Sequence, residues 1–207
     1  MAPESTHLTN LKIGVLALQG AYAAHAEAVI ALGAKAILVR RPDQLAGLDG
    51  LIIPGGESTT FLRHLERDGF FAALDTFVRD TPTFGTCAGA ILLASRVENP
   101  TQHSLAAMDI TVERNAYGRQ NDSTIRTAET TLPGGPLEMV FIRAPRISHT
   151  GPEVEVLATR DDFPVLVRQG HLLAATFHPE LSPDHRVHRL FLTLAAEHKS
   201  AAVESNA

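Results

Sequence analysis

The amino-acid sequence predicts an α/β protein with three layers, in which a mostly parallel central sheet carries helices on both faces. In the first half of the chain, short apolar segments alternate with helix-like stretches, an order that is typical of parallel sheets. In the second half, strand-like segments are separated by turn signals such as Pro133-Gly134-Gly135, which indicates antiparallel additions at an edge. The length of 207 residues fits one globular domain.

The elements of the first half follow from their apolar patterns. Gly33 ends an Ala-rich stretch that favours helix, and a break near Gly69 divides a longer helical pattern into two short helices or one bent helix. We predict strands at residues 13–18, 36–39, 51–54 and 83–85, and helices at residues 21–32, 59–78 and 88–94.

The end of the chain adds a strand and a helix. Residues 171–177 are apolar, and residues 184–198 have the pattern of a helix. We expect a single domain over residues 12–199, preceded by an N-terminal extension (1–11) and followed by a flexible tail (200–207).

The charge and composition exclude several classes of function. With 18 basic and 23 acidic residues and no run of Lys or Arg, the chain has no surface suited to DNA or RNA. The first ten residues show no basic region followed by an apolar run, so we expect no signal peptide. No apolar segment is long enough for a membrane helix, and the one cysteine cannot form an internal disulfide. We therefore expect a cytoplasmic protein with no nucleic-acid or membrane partner, no cofactor and no metal ion.

Cys87 has the sequence context of a nucleophile. It lies between a predicted strand and a predicted helix and is flanked by Gly85 and Gly89, which permit a tight turn. The start of a helix favours a thiolate and directs backbone N–H groups toward negative charge. The alternative is that Cys87 is a small buried apolar residue, which is the common role of an isolated cysteine.

His178 and Glu180 have the context of a base and its orienting group. His178 ends an apolar strand, and the spacing to Glu180 brings both side chains to one side of an extended segment. Such a histidine can move protons while the carboxylate holds its tautomer. The alternative is a histidine at a strand end that pairs with a nearby carboxylate for structural reasons.

A glycine-rich loop follows the strand at residues 51–54. Its adjacent glycines, Gly55 and Gly56, leave backbone N–H groups free to bind an oxyanion. The same residues also fit an ordinary turn before a helix, with Ser58 or Thr59 as the N-cap. Because ligands of open parallel sheets bind outside the carboxyl ends of strands, where all three segments lie, their combination indicates a catalytic site.

Three motifs together resemble the class I, or triad, glutamine amidotransferases: G-T-C-A-G at 85–89, P-G-G-E-S-T at 54–59 and F-H-P-E at 177–180. Further segments resemble the glutaminase subunits of pyridoxal 5′-phosphate synthases, and the resemblance covers about residues 12–198. These segments are L-Q-G-A at 18–21, R-P at 41–42, V-E-R-N at 112–115, Y-G-R-Q at 117–120, F-I-R-A-P at 141–145 and H-P-E-L at 178–181.

The resemblance implies a site for L-glutamine and a flavodoxin-like fold. It implies Cys87 as the nucleophile, with His178 and Glu180 as its partners in a triad. Gln19 is expected near the oxyanion region or a partner surface, and Arg119 is kept as a surface residue. The glutamine-binding residues that the resemblance implies are Gly55, Gly56, Glu57, Ser58, Arg114, Ile142 and Arg143.

The resemblance also implies a partner. In this family the ammonia goes to a synthase subunit with a TIM-barrel fold, which makes pyridoxal 5′-phosphate from ribose 5-phosphate and glyceraldehyde 3-phosphate. Two alternatives remain open. One is a glutaminase subunit of the same fold for another pathway, such as imidazole glycerol phosphate synthesis. The other is a binding or regulatory module without turnover, against which the intact Cys87, His178 and Glu180 argue.

Overall fold

The computed structural model describes residues 8–67, 69–114, 116 and 124–205, and within them the chain forms helices α1 to α5 and strands β1 to β12. The helices are α1 (Tyr22–Ala31), α2 (Ser58–Leu65), α3 (Phe70–Asp80), α4 (Ala88–Leu93) and α5 (Arg186–Ser205). The strands are β1 (Lys12–Leu16), β2 (Lys35–Val39), β3 (Gly50–Ile53), β4 (Thr83–Thr86), β5 (Ala94–Glu98), β6 (Met108–Glu113), β7 (Thr124–Ala128), β8 (Leu137–Phe141), β9 (Arg146–Thr150), β10 (Glu155–Arg160), β11 (Phe163–Gln169) and β12 (Leu172–Ala175). Short 3-10 helices form at Pro42–Leu45 and Pro179–Leu181.

The central sheet has the strand order β10-β11-β12-β4-β3-β1-β2 among the described residues. Strands β2, β1, β3, β4 and β12 pair in parallel, whereas β10 and β11 join the β12 side as antiparallel strands. The parallel part has the flavodoxin-like strand order: β2 is added on one side of β1, and β3, β4 and β12 are added in turn on the other side. The predicted fold class is therefore confirmed, including the antiparallel edge.

Each face of the sheet has its own apolar core. On one face, Ile13, Ile52 and Phe84 pack with residues of α1 and α5, such as Val29 and Phe191. On the other face, strand residues such as Leu51, Ile53, Leu172 and Ala174 pack with residues of α2, α3 and α4. Because strands β1, β3 and β12 are buried on both faces, their sequences are largely continuous apolar runs without alternation.

The two smaller sheets lie outside this central sheet. Strand β6 pairs with β5 in parallel and with β9 in antiparallel fashion, and β7 and β8 form a hairpin-like antiparallel pair. Except for β5, these strands come from the half of the chain for which the sequence predicts antiparallel pieces. None of the helices that the structure describes is long and apolar enough to cross a membrane.

The structure resolves one alternative left open for the helices and changes one predicted bound. The predicted break near Gly69 gives two helices, α2 and α3, because Gly69 adopts a left-handed conformation with φ of 74°. Helix α5 continues through Ser205, so that residues 200–205, predicted to belong to a flexible tail, are helical. Alanines favour this continuation, and Lys199 anchors the helix because its Nζ lies 3.0 Å from Asp49 Oδ2.

Gly89→Ala tests how closely α4 packs on β3. A Cβ atom at this position would lie 2.0 Å from the Ile53 carbonyl oxygen. We expect overpacking to lower the free energy of unfolding by about 1–3 kcal/mol in urea titrations. As a control, Ala23→Gly on the exposed face of α1 reports the ordinary preference of helices for alanine, about 1 kcal/mol. A Gly89→Ala protein that is as stable as the parent, or more stable, would contradict this packing.

Candidate active site

The carboxyl ends of the parallel strands meet at a cavity of about 340 Å³. A larger cavity of about 540 Å³ lies between Leu8 and helix α5, but its described lining residues include no cysteine or histidine. Every residue that the sequence assigns to the site lines the smaller cavity, except Glu180, which is buried. This cavity is lined by Gly20, Ala21, Gly55, Gly56, Glu57, Ser58, Cys87, Ile91, Arg114, Ile142, Arg143, His178 and Leu181.

Cys87 occupies a strained turn between β4 and α4. Its φ of 48° and ψ of −103° are unusual for a residue with a side chain, as expected for a nucleophile at a sharp strand-to-helix turn. The backbone N–H of Cys87 donates to the Ala175 carbonyl oxygen at 2.8 Å, which fixes the turn against strand β12. The thiol is buried but reaches the cavity.

His178 lies between Cys87 and Glu180. Its Nδ1 atom is 2.8 Å from Glu180 Oε1, and the Cys87 thiol lies close enough to the ring to raise its pKa. Since Nδ1 is engaged by the carboxylate, Nε2 is the nitrogen available for the thiol. Burial opposes the charged imidazolium, but the hydrogen bonds and charges of Cys87 and Glu180 outweigh it and raise the pKa of His178 to about 10.

The backbone between His178 and Glu180 forms a turn, whereas the sequence predicted an extended segment. Pro179–Leu181 forms a 3-10 helix, with Pro179 at its first position, where the missing N–H is not needed. The backbone N–H of His178 donates to the Val140 carbonyl oxygen at 2.8 Å. The two side chains meet because the chain turns after His178, whereas the alternation of a strand was the basis of the prediction.

Glu57 caps helix α2. Its carboxylate accepts hydrogen bonds from the backbone N–H groups of Thr60 at 2.7 Å and Thr59 at 3.1 Å. These bonds lower the pKa of Glu57 to about 2, so it is a carboxylate at any physiological pH. The N-cap expected at Ser58 or Thr59 is therefore wrong, since an acidic side chain reaches the same N–H groups.

The loop at Gly55 and Gly56 packs directly on the reactive residues. A Cβ atom on Gly55 would lie 2.5 Å from His178 Cε1 and 3.1 Å from Cys87 Cβ. A Cβ atom on Gly20 would lie 1.7 Å from the Gly55 carbonyl oxygen. Gln19 donates from Nε2 to the Glu57 carbonyl oxygen at 2.9 Å. Glycines are thus required where backbone segments approach the thiol and the imidazole.

Arg114, Ile142 and Arg143 reach the cavity from the smaller sheets. Arg114 follows β6 and donates from Nη2 to Thr59 Oγ1 at 2.9 Å, so it spans the cavity to helix α2. Ile142 and Arg143 follow β8, and Arg143 has a left-handed backbone with φ of 45°. The predicted family segments at Asn115 and residues 117–120, including Arg119, lie outside the described residues.

Sequence reasoning missed two buried histidines behind the site. It singled out only His178 among the histidines, whereas His25 on α1 and His188 on α5 are completely buried. The sequence contained a signal for their burial, because each histidine lies three or four residues from a buried apolar residue on the same face of its helix. His25 precedes Val29 by four residues, and His188 precedes Phe191 by three. Among the residues with described positions, no cluster of His, Cys, Asp and Glu is arranged to hold a metal ion.

The fold and this cavity define the chain as a glutamine amidotransferase. A solved structure described as a glutamine amidotransferase is 47% identical, has a TM-score of 0.82, and covers 88% of this chain and 98% of its own. A model of the SNO glutamine amidotransferase family matches residues 15–197, and the chain belongs to that family. The resemblance to this family is therefore confirmed.

Two curated relatives indicate which kind of glutamine amidotransferase the chain is most similar to. Both carry the description pyridoxal 5′-phosphate synthase subunit PdxT. The protein from Koribacter versatilis is 61% identical over 184 residues, which cover 89% of this chain and 95% of the relative. The protein from Thermotoga sp. is 52% identical over 186 residues, covering 89% of this chain and 99% of the relative.

His178→Gln is expected to reduce stability in a way that depends on pH. The folded-state pKa of His178 is about 10, above the value of 6.5 for an ordinary histidine. The stabilisation from protonated His178 is therefore complete below pH 6.5 and is lost as the pH rises toward 10. We expect the difference in free energy of unfolding between the parent and His178→Gln, measured with urea, to shrink across this range. A difference that stays constant or grows would contradict the assignment.

Proposed function

We propose that this chain hydrolyses L-glutamine to L-glutamate and ammonia with a Cys87–His178–Glu180 triad. The observation that carries the proposal is the placement of the His178 ring between the Cys87 thiol and the Glu180 carboxylate at the cavity. A thiol, an imidazole and a carboxylate in this order form the arrangement that activates a cysteine for attack on an amide.

The reaction proceeds in two stages. The Cys87 thiolate attacks the side-chain amide carbon, and the protonated Nε2 of His178 gives its proton to the leaving nitrogen, which departs as ammonia. A thioester between Cys87 and the glutamyl group remains. Water then attacks the thioester carbon while His178 takes a proton from it, and the C–S bond breaks to release glutamate and regenerate the thiolate and imidazolium. Glu180 stabilises the imidazolium throughout.

Charged side chains, wall residues and backbone N–H groups bind different parts of the substrate in this proposal. Free glutamine carries an α-carboxylate and an α-ammonium, and the cavity offers cationic Arg114 and Arg143 together with the anionic Glu57. Ser58 and Ile142 complete the walls. Gly55 lies against Cys87, and the peptide groups of Gly55 and Gly56 are the candidates for binding the oxyanion of the tetrahedral intermediate.

Ammonia from this reaction passes to a synthase partner. The relatives from Koribacter versatilis and Thermotoga sp. are described as subunits of pyridoxal 5′-phosphate synthase, which supports the same role here. We expect the partner to be a TIM-barrel protein that makes pyridoxal 5′-phosphate from ribose 5-phosphate and glyceraldehyde 3-phosphate. We also expect the complex to work in the cytoplasm.

Cys87→Ser tests the nucleophile. An electrophilic glutamine analogue should add one adduct to the parent protein by mass spectrometry, because the chain has a single cysteine. The variant should show no adduct. Glutamate release, measured with the partner present, should fall by about 10⁴-fold or more. Without the nucleophile of the triad, only substrate binding and oxyanion stabilisation remain to accelerate the reaction. Unchanged glutamate release in the variant would exclude Cys87.

The partner is expected to accelerate glutamine hydrolysis. Glycine permits more backbone conformations than other residues, so the Gly55-Gly56 peptide can take more than one N–H direction, and Gly56 has a φ of 152° that few other residues adopt. If the partner fixes the N–H direction, turnover at saturating glutamine should rise by about 10²-fold, the contribution of one oxyanion donor. Glutamate release is measured for the free subunit and for the complex. Equal turnover numbers would reject this explanation.

A further inference from the structure

A row of buried side chains extends behind the proposed triad. Glu180 uses Oε1 to hold His178, at 2.8 Å. Its other oxygen, Oε2, lies 3.3 Å from His25 Nε2. On the far side of the His25 ring, Nδ1 lies 2.9 Å from His188 Nε2. The row therefore connects helix α5, through α1, to the imidazole that faces Cys87.

Thr86 is the second neighbour of His25 Nε2. Its Oγ1 atom lies 3.2 Å from that nitrogen, and Thr86 immediately precedes Cys87 at the end of β4. One imidazole thus contacts both the orienting carboxylate and the residue before the nucleophile. The Glu180 Oε2 atom is fully buried and has no hydrogen bond of good geometry with any described residue, which leaves His25 as its polar neighbour.

The carboxylate determines the tautomers along the row. The negative charge of the carboxylate repels a lone pair, so a proton on the His25 nitrogen that lies 3.3 Å from it is favoured, although this contact lacks the geometry of a hydrogen bond. In a neutral ring Nδ1 is then an acceptor, and His188 must donate to it from Nε2. The remaining nitrogen, His188 Nδ1, is buried without a hydrogen-bond partner among the described residues. This environment favours an unprotonated nitrogen, because a buried N–H group is rarely left without an acceptor.

Burial keeps both rings neutral, as this arrangement requires. Burial and the nearby charges of His188 and His178 hold the pKa of His25 well below its usual value. Burial and the charge of His185 lower the pKa of His188 to about 4. The two rings also contact the core, since both pack edge-on against Phe84. Their orientation is therefore set by packing as well as by hydrogen bonds.

We infer that His25 and His188 are positioning residues that hold the Glu180 carboxylate, and through it His178, in the orientation needed for proton transfer to and from glutamine. This inference rests on the proposed function. His188 holds His25 in the Nε2–H tautomer, and His25 presents that N–H to Glu180 Oε2 and Thr86 Oγ1. Neither histidine touches the substrate.

Two substitutions of His25 separate hydrogen bonding from packing. Leucine fills a similar volume but has no N–H, whereas glutamine can place an amide N–H close to the position of Nε2. With the synthase partner present, His25→Leu should lower kcat by about 10- to 100-fold, the usual effect of losing a group that orients a functional residue. The KM for glutamine should change little, and His25→Gln should restore most of kcat.

Activity is measured per competent active site, so that loss of folded protein does not lower kcat. The fraction of protein that reacts with an electrophilic glutamine analogue gives the number of such sites. His171→Leu is the matched control, since His171 is a partly buried histidine whose Nε2 contacts the Val78 carbonyl oxygen at 3.0 Å, away from the cavity. We expect its kcat to equal that of the parent.

The outcomes distinguish the inference from the function on which it rests. A normal kcat in His25→Leu, or an equal loss in His25→Leu and His25→Gln, overturns the positioning role. If Cys87→Ser still releases glutamate in the same assay, the proposed function itself fails. If Cys87→Ser is inactive while His25→Leu is normal, only the positioning role fails.

A measurement on the unsubstituted chain tests the tautomers directly, even if His25→Leu does not fold. Nitrogen chemical shifts of ¹⁵N-labelled histidine distinguish protonated from unprotonated ring nitrogens. We expect both His25 and His188 to be neutral near pH 7 with the proton on Nε2, and the signals are assigned from the spectra of His25→Gln and His188→Gln. A proton on Nδ1 alone in either ring, or a charged ring, overturns the inference.

Discussion

The parallel pairing of β4 with β3 on one side and β12 on the other is the constraint on which the site depends. In this register Gly85 lies beside Ile53, and Thr86 lies beside Ala175. The three strands therefore end at the same level, and the residues that follow them emerge together at one edge. Because each of these segments belongs to a different part of the chain, the thiol, the imidazole and the glycine-rich loop meet only when the central sheet has formed.

Electrostatics divides the histidines near Glu180 into two kinds. His178 faces a thiol and a carboxylate, and these partners outweigh its burial and raise its pKa. His25 and His188 lie deeper, where burial and neighbouring histidines lower the pKa of each ring. One carboxylate thus lies between a charged imidazole and a neutral one. The charged ring can exchange protons with a reacting group, whereas the neutral rings can only orient their neighbours.

The central sheet, and the meeting of the predicted catalytic segments at one cavity, could be predicted from the sequence because both depend on local patterns. Buried parallel strands are apolar runs that end at recognisable glycine or proline signals, and the residues of chemical interest follow those ends directly. The resemblance to a known family supplied what spacing could not, namely that Arg114, Ile142 and Arg143 belong to the same cavity. These residues follow strands of the smaller sheets, and no local sequence pattern reveals where those sheets lie relative to β4.

The features that the sequence did not predict depend on contacts between distant segments. Glu57 caps α2 because the loop before it turns its carboxylate back onto the helix, although serine and threonine are commoner at such positions. The 3-10 turn at Pro179–Leu181 is stabilised where His178 bonds to β8. His25 and His188 come from opposite ends of the chain, and only the packing of α1 beside α5 makes them neighbours.

The single cysteine also has a practical consequence. Because Cys87 is the chain's sole sulfhydryl and is nearly covered by its surroundings, reagent size decides what reacts with the native protein. A small electrophile shaped like an amino acid can enter the cavity and reach the thiol, whereas a bulky maleimide dye meets the side chains that cover it. A cysteine introduced on an exposed helix would therefore react with a large dye faster than Cys87 does, which favours fluorescent tagging of the outer surface over the reaction centre.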